Sequence, residues 1–181
     1  MRLRILALLL LAPLAVALAD DNGKDPKAES GKEGSDKGEE KKKPVSFVVI
    51  VNEKNPVKKL SFAELRSYLR MRRQFWPNRK RCALYLPKRD SDAYAMLLKE
   101  VYKTSDKKLQ KYWVRLLFAG DIPAKPSVVT SPKAAGSQVS KNEGALSIVP
   151  ASEVPKDVRV LPIDGKKPGD AGYPLVAIPK G

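Results

Sequence analysis

From Phe47 to Val51 the chain is apolar at every position, with Val and Ile dominating. A run without alternation predicts a strand covered on both faces, as in α/β domains. It stops at Asn52-Glu53-Lys54-Asn55-Pro56, a turn composition. Ser61 and Glu64 then form the S-x-x-E pattern of a capping box, with Leu60 and Leu65 at hydrophobic-staple spacing. Phe62, Leu65 and Leu69 fall on one helical face. Val45 to Leu69 therefore reads as strand, turn and capped amphipathic helix.

Downstream the two periods alternate again. Cys82 to Leu86 predicts a second strand, ended by Pro87. Ala93, Met96, Leu97 and Val101 predict a helix, with Ser91 as N-cap and Asp92 complementing the helix dipole. Ser105 caps a third helical pattern, in which Leu109, Tyr112, Trp113, Leu116 and Leu117 mark the buried face and Gly120 the stop. Ser131-Pro132 starts a short helix, with Pro at the first helical position. Gly144 to Val149 and Val158 to Ile163 predict two more strands, with a turn or one helical turn between Pro150 and Pro155. Strand-helix alternation predicts an α/β domain, a small, mostly parallel sheet flanked by helices, over 45–165. The Pro- and Gly-rich segment 166–181 reads as a loosely held tail.

Composition adds two appendages before that domain. Met1 to Ala19 has Arg2 and Arg4, an apolar run from Ile5 to Leu18 and a small-residue ending, the pattern of a cleavable secretory signal. The run is short for a membrane span, which takes about 20 apolar residues. Residues 20–44 form a charged linker. Asp20 to Lys43 holds seven Lys and eight Asp or Glu and almost nothing to bury, so it predicts disorder. The chain carries a formal net charge of +15. Nearly all of it lies from Pro44 onward, which makes that region a candidate for anionic partners.

The chemistry is bounded by what is missing. The 181 residues include no His, which removes His-based triads and most transition-metal sites. No cofactor, metal or catalytic residue is expected. The one cysteine, Cys82, sits in an apolar strand and reads as buried, with pairing between chains as the alternative. Arg70 to Arg81 interleaves basic residues with Phe75 and Trp76. That pattern can bind nucleic acid, but export and the lack of a nucleic-acid motif favour a solvated connector whose Trp packs back on the domain. Arg89, Ser91 and Asp92 lie between a strand and a helix N-terminus, where anions bind. Helix capping alone also explains Ser91 and Asp92.

These residues resemble the phosphate-binding proteins of ABC transporters, and more closely their short relatives that keep one lobe of the type II periplasmic binding fold. VVIVNEKNPVKKLSFAELRSYL resembles the family's strand, Asn-x-x-Asn-Pro-Val turn and capped helix. QFWPN, LPKRDSDAYAMLLKEVY, KYWVRLLFAG, NEGALSIV and LPIDGKKPGDAGYPL follow in the family's order. The resemblance implies a periplasmic or secreted solute-binding domain for phosphate or another small oxyanion. Arg89, Ser91, Asp92 and Asn52 are its candidate ligand residues. Asp92 departs from the family's phosphate loop and brings a negative charge to the anion position. A single lobe implies a second lobe, a homodimer or an envelope partner to complete the site. The alternative is a ligand-free scaffold whose basic face, Arg70–Arg81 and Lys99–Lys111, binds an acidic partner or envelope surface. Neither reading includes nucleic acid or stable membrane insertion.

Overall fold

The structure, a computed structural model, describes residues 43–178. The signal, nearly all of the linker and the last three residues of the tail lie outside the described residues. Strand β1 (Val45–Asn52) is followed by helix α1 (Phe62–Leu69). Then come β2 (Ala83–Leu86), α2 (Asp92–Met96) with a π-helical continuation over Leu97–Tyr102, and α3 (Asp106–Phe118). The remainder is β3 (Ser127–Val128), α4 (Pro132–Lys141), β4 (Ala145–Pro150), a 3-10 turn at Ala151–Glu153, β5 (Val158–Leu161) and β6 (Val176–Ala177).

The capping box at Ser61 forms as its residue types require. The Ser61 hydroxyl accepts from Glu64 N at 3.2 Å, and Glu64 Oε2 accepts from Ser61 N at 3.0 Å. Asp164 Oδ1 accepts from Phe62 N at 2.9 Å, which satisfies a further amide that the first helical turn leaves open. The π-helical stretch ends at Lys103, whose φ of 51° is left-handed, with Thr104 N donating to Leu98 O at 3.0 Å.

The sheet runs in the order β3-β2-β4-β1-β5, with β6 also paired to β1. The sheet is mixed, as one strand runs against the others. β2 pairs in parallel with β3 and β4, but β1 is antiparallel to β4, β5 and β6. Every strand except β1 thus shares one direction. β1 and β2 are consecutive in sequence but are separated in the sheet by β4. The β1-α1-β2 connection therefore joins two strands of one sheet that run in opposite directions, so strand-helix alternation alone does not fix strand direction.

β1 is the buried axis. Phe47, Val49 and Val51 face a core built with α1, α2 and α3, while Val48 and Ile50 face a second core with α4. At about 1.5–3 kcal/mol for each large apolar side chain buried, this strand anchors both layers.

The tail also differs from expectation. Tyr173 and Leu175 are buried in the larger core. Phe47 N donates to Leu175 O at 2.7 Å, and the Tyr173 hydroxyl donates to Phe47 O at 2.9 Å. Burial pushes the Tyr173 hydroxyl up to about 12. Pro and Gly describe the turns of this segment, but its Tyr, Leu and Val supply the burial that holds it.

Candidate ligand site at the carboxyl edge

Because β2, β3 and β4 point the same way, their carboxyl ends meet at one edge of the sheet. A cleft of about 570 Å³ opens there. Ligands of open α/β sheets bind outside the carboxyl ends of strands, where the following helices depart to opposite faces. Here α2 leaves β2 toward the larger core, and α4 follows β3 toward the smaller one. The floor is apolar, with Phe47, Val129, Ile148 and Val149.

Two helix starts border this cleft. The Ser91 hydroxyl accepts from Tyr94 N at 3.2 Å and donates to Lys88 O at 2.6 Å. The Ser131 hydroxyl accepts from Ala134 N at 3.1 Å. Thr130 lines the cleft beside Ser131. Both serines are N-caps, so their roles in holding the helices are met within the fold. The helix ends they introduce bring positive dipole ends to the cleft rim.

The charges are mostly of the other sign. Asp90, Asp92 and Glu153 line the cleft against one cation, Lys88. Lys88 Nζ lies 2.6 Å from Asp90 Oδ2. That hydrogen bond holds the exposed Asp90 carboxyl below its usual range. Among the described residues no group of His, Cys, Asp and Glu is placed to hold a metal ion.

The residues expected from sequence separate into two sets. Ser91 and Asp92 line the cleft. Arg89 does not: it is absent from the lining, and its guanidinium donates to Gln110 Oε1 on α3 at 3.0 Å. Asn52 ends β1, whereas Val45, at the other end of that strand, lines the cleft. Its Nδ2 donates to Val139 O at 2.9 Å and Ser140 O at 2.8 Å, and its Oδ1 accepts from Lys54 N at 2.9 Å. Asn52 closes the carbonyl end of α4 and shapes the turn, which is structural work. Sequence reasoning missed Thr130, Ser131 and Glu153 as cleft residues. The available signal was that Ser91 and Ser131 each cap a helix shortly after a strand, a repeated pattern that a parallel β2-β3 pair brings to one edge.

The segment Arg70–Arg81 lies apart from the cleft. Trp76 is buried, stacks on Tyr68 at 4.3 Å and donates from Nε1 to Gly144 O at 2.9 Å. This matches the expected connector whose Trp packs back. Cys82 is buried, and burial pushes its thiol up to about 12.

No family model and no curated protein matches the chain. Solved structures do. An ABC-type phosphate transport receptor from Vibrio cholerae is 16% identical with a TM-score of 0.56, over 69% of this chain and 48% of that one. PstS from Borrelia burgdorferi is 10% identical with a TM-score of 0.59, over 75% and 56%. A phosphate-bound structure from Clostridium perfringens, assigned as a phosphate ABC transporter substrate-binding protein, is 15% identical with a TM-score of 0.60, over 75% and 54%. The chain spans about half the length of these proteins. At this identity the likeness is one of fold: the described domain has the α/β architecture of part of a phosphate-transport substrate-binding protein.

Proposed function

We propose that this chain is an exported, non-catalytic solute-binding domain that takes a small oxyanion, phosphate foremost, in the cleft at the carboxyl edge. The observation that carries this reading is the convergence of two serine-capped helix starts, at Ser91 and Ser131, on one cleft. Thr130, Ser131 and Ser91 are its proposed ligand-facing groups, with Arg89 bracing the loop through Gln110. The fold shared with phosphate-transport binding proteins supports it.

Asp90, Asp92 and Glu153 restrict the ligand. A carboxylate accepts hydrogen bonds and cannot donate them. An oxyanion that keeps protons, such as hydrogen phosphate, can donate to such a group, whereas sulfate cannot. Water and salt weaken attraction between charges wherever solvent reaches them. Two charge-assisted hydrogen bonds at about 2 kcal/mol each correspond to a dissociation constant of about 1 mM.

A second reading, a ligand-free interaction domain, is favoured by the three carboxylates facing a single paired lysine. Isothermal titration of the folded chain separates the two. Heat with millimolar phosphate, little with sulfate and none for Ser131→Asp supports the binding reading. No heat with phosphate overturns it.

A further inference from the structure

We propose that the outer face of α3, with Arg72 beside it, is a docking surface for an anionic phospholipid bilayer. This surface is separate from the cleft. Along α3, Lys107, Lys111, Val114 and Phe118 recur at helical spacing on one stripe, and all four are exposed. Lys108 and Arg115 are exposed on the adjoining stripe. The helix's own acid is turned away: Asp106 accepts from the Tyr94 hydroxyl at 2.5 Å. From Lys107 to Phe118 the face therefore carries four cations and no carboxylate.

Two features extend it. Arg72, Arg70 and Lys108 line one shallow depression of about 200 Å³, so the positive charge continues past the helix start. Glu64, the nearby acid, is matched by Arg73 at 3.2 Å. At the other end Phe118 is 87% exposed. Gln74 Nε2 donates to Asp121 O at 2.7 Å, which holds the loop of the half-exposed Phe75 close to the helix end. Asp121 is the acid at that end.

Cations alone fit any polyanion. The bare Phe118 decides for a bilayer. A basic helix face with exposed aromatic residues inserts those rings at the headgroup boundary while its lysines meet anionic lipid. The depression beside α3 is lined by Arg70, Arg72 and Lys108 with no carboxylate, a surface that suits anionic headgroups.

The test is co-sedimentation of the full chain with vesicles that are one-third phosphatidylglycerol, against vesicles of phosphatidylcholine alone. The readout is the ratio of the two affinities, to which the apolar N-terminal run contributes equally in parent and variants. Each cation near an anionic surface contributes about fivefold. Lys107→Ser/Lys111→Ser/Arg115→Ser is expected to lower the ratio about 100-fold. Phe118→Ser is expected to weaken binding to the anionic vesicles severalfold and to leave binding to soluble polyglutamate unchanged. A control with equal charge loss elsewhere, Lys141→Ser/Lys156→Ser/Lys167→Ser, is expected to keep the ratio near that of the parent. The proposal is overturned if the parent shows no preference for anionic vesicles, or if the control falls as far as the α3 variant. Insensitivity of vesicle binding to Phe118→Ser also overturns it, and points to an acidic macromolecule instead.

Discussion

The Tyr94 hydroxyl donates to the Asp106 carboxylate at 2.5 Å. This bond ties the first turn of α2, at the rim of the cleft, to the first turn of α3. Gln110 Nε2 donates to the same carboxylate oxygen at 3.1 Å and Gln110 Oε1 accepts from Arg89, so the cleft loop is braced by the same group. The Tyr94 hydrogen bond lowers Asp106 below its ordinary value of 3.8. Because the folded value is depressed, the stabilisation is present at neutral pH and is lost as pH falls below that ordinary value through the folded one. Tyr94→Phe is expected to cost about 1–2 kcal/mol at pH 7. The gap from the parent narrows in acid, as read by urea unfolding at several pH values.

Gly144 shows why a small residue sits where the basic segment meets the sheet. A Cβ there would lie 2.1 Å from the backbone carbonyl oxygen of Arg81. Gly144→Ala forces the backbone apart and is expected to cost about 1–3 kcal/mol. It also disturbs the Trp76 Nε1 bond to the Gly144 carbonyl. Thermal unfolding with tryptophan fluorescence reads both effects.

Leu175 tests the correction at the tail. Its side chain is fully buried and its carbonyl accepts from Phe47 N. Leu175→Ala is expected to cost about 2–5 kcal/mol, an effect that a loosely held tail would not produce. Equilibrium unfolding in urea measures it.

Cys82 is expected to stay silent. Burial keeps its thiol protonated at neutral pH, and the thiolate is the reactive form. A maleimide reagent should label it only after denaturation. Rapid labelling of the folded chain would contradict its placement.

Most of the fold was legible from local pattern. The capping box of Ser61 and the two-sided apolar run of β1 have short-range causes and appear as read; on the expected face of α3, Leu109 and Trp113 are buried and Tyr112 and Leu116 half-buried, but Leu117 near the helix end is exposed. The illegible parts depend on long-range pairing. Nothing local in Phe47–Val51 states that β4 and β5 will flank it in the opposite direction. Val176–Ala177 is too short for any periodicity, and it is fixed by pairing with Val45 and Ser46. The lining of the cleft divides the same way. Ser91 and Asp92 were legible because a helix start after a strand is a local signal. Ser131 joins them only because β2 and β3 are parallel neighbours. Arg89 was misleading because a loop position does not state where a long side chain turns.

The central claim is that the ligand site lies at the carboxyl edge between the starts of α2 and α4. Amide chemical shifts of the isotope-labelled chain during phosphate titration test it most directly. The account predicts saturating shifts at Ser91–Tyr94 and Thr130–Ala134, with Asn52 and Arg70–Arg73 unmoved. Shifts confined to Arg70–Arg73 and Lys107–Lys111, or none at millimolar phosphate, would contradict it.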